Sequence, residues 1–507
     1  MAMLLRTRKV ALGLKVICIV MVTATYAILG AVSRGASKVP EEAESDFSHH
    51  PGRHLLGLVK GYNCTPAAIN EFPSDGFTRA QRQNGWIAFH VLLACYLFTL
   101  LAIVCDDYFV PAIKKFCDSL HMREDVTGAT FMAMASSSPE LFINCVGTFV
   151  TEGDIGVGAV VGSAVFNVLA VPACCGLFAN MVVYLEWWPI SRDSMMYGVS
   201  VILLISFLRD GRIYLYEAFA LILVYAIYIL IMFFNNPLMR LANRLVTKCR
   251  RKGHYQEIIA ETTPLLIRGE QKANEVNEIL EAEFTLKDCE DLEESTKIWE
   301  WPKGQSRRGQ IWWVLTWPVS FLLYITTPDC RKYPRLFVIT FVMCIFWIGV
   351  ASYMISWLIT AIGDTLDIPD SVMGLTFLAA GMSVPEAVSS VIVTNQGYGS
   401  MGVSSSIASN TFDILLCLGL PWFIKTGYYP KVPGKRYIKI NSAGLNYSAI
   451  SLLSTLVLFY LSVAFNKFKL NWKVGLTCLF MYITFLVFAS LIELNVFFPV
   501  NLPTCDR

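Results

Sequence analysis

Residues 128–169 read GATFMAMASSSPELFINCVGTFVTEGDIGVGAVVGSAVFNVL, and residues 374–415 read GLTFLAAGMSVPEAVSSVIVTNQGYGSMGVSSSIASNTFDIL. The two align without a gap at an offset of 246, and 14 of the 42 positions are identical. The shared residues include Thr130/Thr376, Ala133/Ala379, Ser137/Ser383, Pro139/Pro385, Glu140/Glu386, Ser163/Ser409 and Phe166/Phe412. A match of this length is an internal duplication. Each copy is long enough for two membrane crossings, so the duplicated unit is a helix pair.

The rest of the chain has the composition of a membrane protein. Of 507 residues, 55% are apolar and 16% charged, where a soluble domain carries roughly 25% charge. The net charge of +2 excludes the basic field of a nucleic-acid binder. The 15 cysteines form no C-x-x-C pair, which argues against a structural zinc site or a thioredoxin-type motif.

Apolar segments able to cross ~30 Å of hydrocarbon are expected near 86–110, 128–150, 156–180, 193–208 and 213–235. A second set is expected near 337–362, 371–394, 402–425, 445–465 and 473–493. Each half therefore has five spans, with the duplicated pair second and third. An odd span number turns the second half upside down relative to the first. This is the inverted-repeat plan of secondary transporters, whose sites lie near the midplane. Residues 311–329, with Trp312, Trp313 and Trp317, fit an interfacial helix. As a full span they would make the halves parallel.

The expected organisation follows. Residues 1–32 are a signal peptide or a retained first helix: Arg6, Arg8 and Lys9 precede an apolar run from Val10 to Val32. Residues 33–84 are an extracellular segment holding the sequon Asn63-Cys64-Thr65. Residues 85–235 are the first five-helix repeat, 236–336 a cytosolic loop with the interfacial helix, 337–494 the second repeat, and 495–507 an extracellular tail. The basic cluster from Arg240 to Lys252 agrees with this sidedness, whereas Lys425, Lys431, Lys435, Arg436 and Lys439 fall outside against the positive-inside rule. Cys64 and Cys505 share the outer side, so a disulfide between them is one open pairing.

Glu140, Glu386 and Asp413 lie inside apolar spans. A charge at that depth costs at least ~2.5 kcal/mol, which makes each a functional candidate. The repeat partner of Asp413 is Asn167, an uncharged oxygen donor. Pro139 and Pro385 each remove a backbone donor and kink or break their helices, freeing carbonyls near Ala133 and Ala379. Ser136, Ser137, Ser138 and Ser383 add hydroxyls. Ser163 lies four residues before Asn167, and Ser409 four before Asp413, so each pair shares a helix face.

The set is all oxygen, which suits calcium and alkali cations over zinc or copper. Three carboxylates balance one calcium plus one potassium; with Asn at 413, calcium alone would balance the site. No organic cofactor is implied. No nucleophile–base pair or metal triad sits in the spans, which argues against an enzyme.

These motifs resemble the potassium-dependent sodium/calcium exchangers of the cation/calcium exchanger superfamily. The residues that carry the resemblance are 128–141, GSAVFN at 162–167, 374–387 and SNTFD at 409–413. Weaker similarity lies in AIVCDDYFVP at 102–111, TPDCRK at 327–332 and the tail FPVNLPTC at 498–505. The tail and the Cys-Asp-Asp segment look most like the family's third and fourth members. The resemblance implies a ten-helix core and exchange of sodium for calcium plus potassium by alternating access in the plasma membrane.

It implies Glu140 and Glu386 as central calcium and sodium ligands, with Asn167, Ser137, Ser163, Ser383 and Ser409 completing the shell. Asp413 would set the potassium requirement. The chain departs from the family pattern at Ala133-Met134-Ala135, Met382, Glu386 (usually Asp in the potassium-dependent branch) and Ala408. Other readings stay open: a potassium-independent sodium/calcium or cation/proton exchanger, a non-transporting scaffold with this fold, an intracellular membrane and a homo-oligomer.

Overall fold

A computed structural model describes residues 68–119, 133–151, 154–178, 182–234, 239, 307–395, 399–428, 437–440 and 444–497. The signal-like start, Asn63, Cys64, the acidic linker and Cys505 lie outside the described residues.

The described chain is nearly all helix, the form in which an apolar segment satisfies its own backbone in lipid. The helices are α1 (Arg79–Cys117), α2 (Ser138–Phe149), α3 (Ile155–Phe178), α4 (Trp187–Leu208), α5 (Leu215–Phe233) and α6 (Arg307–Thr326). There follow α7 (Phe337–Leu366), α8 (Asp370–Asn395), α9 (Gly402–Tyr428), α10 (Gly444–Phe465) and α11 (Trp472–Glu493). Among the described residues, nine of these are long and apolar enough to cross a membrane; α2 and α6 are not among the nine. The first crossing starts seven residues earlier than the sequence implied, and α4 starts at Trp187 rather than near 193.

Two short ladders settle the inversion. Strand β1 (Val183–Tyr184), which follows α3, pairs antiparallel with β4 (Lys469–Leu470), which lies between α10 and α11. Strand β2 (Arg212–Tyr214), between α4 and α5, pairs with β3 (Tyr437–Lys439), which follows α9. Helix α4 runs from the β1/β4 end to the β2/β3 end. Helix α3 therefore finishes at the β1/β4 end, and its duplicate α9 finishes at the opposite one. The two copies run antiparallel, as inverted repeats must.

The chain divides into two units, one of residues 1–98, 136–226 and 348–507, the other of residues 99–135 and 227–347. In the first, α3 is the most enclosed span, with 89% of its apolar window buried, against 28% for α5. Its core includes Val160, Ala164, Leu169, Ile355, Leu378, Phe412, Leu452 and Phe459. Phe219, Leu223, Phe465 and Phe480 face outward, the apolar coat of a lipid-facing bundle. Helices α3 and α8 cross closely: a Cβ on Gly162 would stand 2.2 Å from the Leu375 carbonyl oxygen, and one on Gly374 would stand 2.5 Å from that of Ile155.

The N-terminal end of α1 is tied by buried charges. Arg82 donates to Asp75 Oδ2 and to Asp364 Oδ2, both at 2.9 Å, and His90 Nε2 lies 2.9 Å from Asp75 Oδ2. Burial alone would raise the Asp75 carboxyl, but the hydrogen bonds and charge of Arg82, with those from Phe77 N–H and His90, hold it below its ordinary value.

In the second unit, Phe109 and Phe116 stack on Phe341 at 5.4 and 6.1 Å. Arg331 donates to the Asp107 carbonyl, Thr340 to that of Pro328 at 2.6 Å, and Trp347 Nε1 to Thr326 Oγ1 at 3.0 Å. Burial, with the nearby Asp329 charge, pushes the Cys330 thiol up to about 11. Asp106 and Asp107 are exposed.

Candidate ion-binding site

The duplicated pairs α2/α3 and α8/α9 bring most of the expected ligands into the first unit. Proline acts differently in the two copies. A short helix, Ala133–Ser136, precedes α2, the chain leaves helical geometry at Ser137 (φ −95°, ψ 12°), and Pro139 lies in the first turn of α2. There the missing N–H removes no helical bond. Pro385 lies inside a helix that continues from Ala379 to Asn395. It breaks nothing, and the carbonyl it deprives of a donor is that of Gly381, four residues back. Of the kink or break expected at each proline, a break in helical geometry stands beside Pro139 and none at Pro385. The Ala379 carbonyl is not the one freed; its methyl packs where Gly162 leaves room.

The third span of each half carries a π turn at the decisive residue. In α3 it covers Phe166–Ala170 and includes Asn167; in α9 it covers Asp413–Leu418 and begins on Asp413. A π turn adds a residue to the helical repeat and re-aims side chains, a feature enriched at functional sites.

Glu140, Asn167 and Asp413 are 2%, 0% and 1% exposed. Helix α2, which carries Glu140, packs against the π turn that begins on Asp413, and α8, which carries Glu386, packs against α9, so the elements that carry the three carboxylates meet. Ser137 Oγ is buried and meets no hydrogen-bond partner among the described residues. Glu140 Oε2, Asn167 Oδ1, Ser383 Oγ and Asp413 Oδ2 are buried oxygens that meet no hydrogen-bond partner among the described residues. Such orphaned acceptors cost ~1–3 kcal/mol each, a cost that a bound cation removes. Among the described residues, no three His, Cys, Asp or Glu side chains converge tightly enough to hold one ion. A cation here would draw on neutral oxygens as well as carboxylates.

Ser163 Oγ donates to Val160 O at 3.1 Å and Ser409 Oγ to Ser406 O at 3.0 Å. Each hydroxyl spends its proton on its own helix and keeps lone pairs for a cation. Ser136 is exposed, so it does not join the buried set; Glu386 is half-buried. The Ala133 side chain lies outside the described residues.

Four residues belong here that the sequence did not single out. Asn410 Oδ1 accepts from Asn167 Nδ2 at 3.1 Å, and Asn410 Nδ2 donates to Ala164 O at 3.3 Å. Ser406 Oγ donates to Asn167 O at 3.0 Å. Cys417 Sγ lies 3.6 Å from Ser137 O and 3.8 Å from Asp413 Oδ1, so a thiol borders the oxygen set. Asn144 Nδ2 donates to Glu140 O at 3.0 Å. The signal for Asn410 and Cys417 was present: each is one helical turn from Asp413, on its face.

Lys425 is not a loop charge. It is buried in α9 and donates to the Thr148 carbonyl at the end of α2. Its disagreement with the positive-inside rule thus has a structural cause.

Comparison with known proteins agrees with this architecture. The family described as sodium/calcium exchanger protein matches residues 90–234 and 336–491, one match per repeat. Sodium/potassium/calcium exchanger 4 of Homo sapiens is 38% identical over 560 aligned residues, covering 89% of this chain and 90% of that protein. Sodium/potassium/calcium exchanger 3 of Homo sapiens is 37% identical, covering 89% and 87%. A probable sodium/potassium/calcium exchanger of Drosophila melanogaster, CG1090, is 35% identical, covering 87% and 85%. A solved structure of the sodium-calcium exchanger NCX_Mj aligns with a TM-score of 0.42 at 16% identity, covering 78% of this chain and 97% of that one. With both repeats matched and identity sustained along nearly the whole length, the chain belongs to the sodium/calcium exchanger family.

Proposed function

We propose that the chain is a multi-pass antiporter of the plasma membrane, moving sodium one way and calcium plus potassium the other by alternating access. The observation that carries this reading is the third buried carboxylate. Asp413 is buried in α9, against the helix that carries Glu140 and beside the one that carries Glu386, where the symmetry-related residue is the neutral Asn167. Three carboxylates within the spans, two of them buried and Glu386 half-buried, make an empty site costly to carry through a low-dielectric protein. Calcium plus potassium neutralises them, and so does a set of sodium ions of matching charge. Because the two loads share ligands, they exclude each other, and only a loaded site crosses readily. Exchange follows from that constraint.

In this reading Glu140 and Glu386 hold calcium or sodium with Ser137, Ser163, Ser383, Ser409 and Asn167, and Asp413 holds potassium. Residues 33–84, with a glycan on Asn63, and the tail with Cys505 face outside; residues 236–336 face the cytosol.

The test is sodium-gradient-driven calcium uptake in cells expressing the chain, with potassium present and then replaced by lithium, and with Asp413→Asn beside it. Potassium-requiring flux in the wild type, lost as a requirement in the variant, is the expected result. Flux indifferent to potassium would place the chain among potassium-independent exchangers, and no flux from surface-delivered protein would mean the fold is used as a scaffold.

A further inference from the structure

We propose that Tyr197, on the fourth span, is a further ion-site residue: its phenol oxygen coordinates the alkali cation held at Asp413. The inference rests on the potassium-dependent reading above and extends the site beyond the duplicated helices.

Tyr197 is fully buried, and its hydroxyl meets no hydrogen-bond partner among the described residues. A buried hydroxyl normally finds a partner, because leaving it unmade forfeits its hydration. Asp413 Oδ2 is a second buried oxygen without a partner among the described residues, and α4, which carries Tyr197, packs against the π turn that begins on Asp413.

The backbone holds the phenol in place. Asp193 lies one helical turn before Tyr197 on the same face of α4. It accepts from Ser404 Oγ, in α9, at 2.8 Å, and it is clamped by Arg192 at 2.7 and 3.0 Å. That contact ties α4 to the helix that carries Asp413. The aromatic body is enclosed, so the ring cannot swing the oxygen elsewhere.

The chemistry selects the ion. A phenol is a neutral oxygen of modest field strength. Neutral oxygens are the ligands that replace the hydration shell of potassium, while calcium gains most from carboxylates. Tyr197 lies on the helix packed against the Asp413 turn, so its oxygen would add to the potassium half of the site and leave the Glu140 and Glu386 half unchanged.

The experiment uses the purified full-length chain reconstituted in proteoliposomes, so delivery to the cell surface plays no part. Tyr197→Phe removes one oxygen and keeps the ring; Tyr197→Met is a second variant without the oxygen, and either one that elutes as folded protein suffices. In sodium-driven calcium flux, the potassium concentration for half-maximal rate should rise about tenfold. The calcium dependence at saturating potassium should stay within about twofold of wild type. In an Asp413→Asn background the same substitution should change nothing further, because the two residues serve one ion.

Unchanged potassium dependence in a folded variant overturns the assignment. So does a joint loss of calcium and potassium affinity, which would mark a packing role, or a Tyr197→Phe effect that persists in Asp413→Asn. Wild-type flux that ignores potassium overturns the underlying reading itself, and is seen before any variant is made.

Discussion

Asn167 Nδ2 donates to Asn410 Oδ1 at 3.1 Å, linking the third span of one repeat to the third span of the other. The bond fixes which way the Asn167 amide points. Its nitrogen is occupied, and its oxygen faces the buried polar set without a partner among the described residues. Asn410 is thus a positioning residue. Asn410→Ala would leave the Asn167 amide nitrogen without this acceptor, at ~1–3 kcal/mol. The expected outcome is a roughly tenfold or greater rise in half-saturating calcium, read from calcium-dependent flux. Wild-type calcium dependence in a well-expressed variant would sink the assignment.

Arg82 joins Asp75 to Asp364 across the ends of α1 and α7, and all three are buried. Removing the cation strands two carboxylates. Arg82→Gln should lower unfolding stability by ~3–5 kcal/mol, measured by thermal or denaturant unfolding in detergent. Lys should not restore it, since one ammonium cannot reproduce the fork that spans two acids.

The Asp75 carboxyl is held below its ordinary value chiefly against burial, by Arg82, with help from the Phe77 N–H and His90. A depressed folded pKa stabilises the fold above the unfolded value of ~3.9 and loses that contribution as pH falls through the folded one. The stability gap between wild type and Asp75→Asn should therefore hold steady through neutral pH and close only below about pH 4. A gap that closes between pH 8 and 6 would contradict the assignment.

Gly162 lets α3 and α8 touch. With a Cβ 2.2 Å from a backbone oxygen, Gly162→Ala cannot be absorbed by a side-chain rotation and should cost ~1–3 kcal/mol and most of the flux. Gly198→Ala is the control, since its nearest neighbour is a Leu456 methyl at 3.6 Å. Equal behaviour of the two variants in flux and thermal stability would refute the close-approach argument.

The ladders predict sidedness. Cysteines placed at Tyr184 and Lys469, paired in one ladder, should react with a membrane-impermeant thiol reagent only from the cytosol. Cysteines at Arg212 and Lys439, paired in the other, should react only from outside. Labelling of all four from one side would exclude inverted halves.

The duplication, the inversion of its two copies and the three intramembrane carboxylates were legible in the chain itself. A gapless repeat, hydrophobic length and the cost of charge in lipid are properties of the residues, independent of how helices pack. Packing decided the remainder. Pro139 and Pro385 share a Ser-x-Pro-Glu setting, yet one lies in a helix's first turn and the other within a continuous helix, a difference the shared motif does not announce. Asn410 has no polar counterpart in the first repeat, where Ala164 stands, so symmetry could not flag it. Lys425 counts against the positive-inside rule in the sequence, and only packing places its ammonium on the Thr148 carbonyl. Tyr197 lies 216 residues before Asp413, and no periodicity links them. One-dimensional pattern records which residues must leave water. Which buried oxygens meet, and which stay without a partner, depends on contacts between distant segments, and these only the tertiary fold creates.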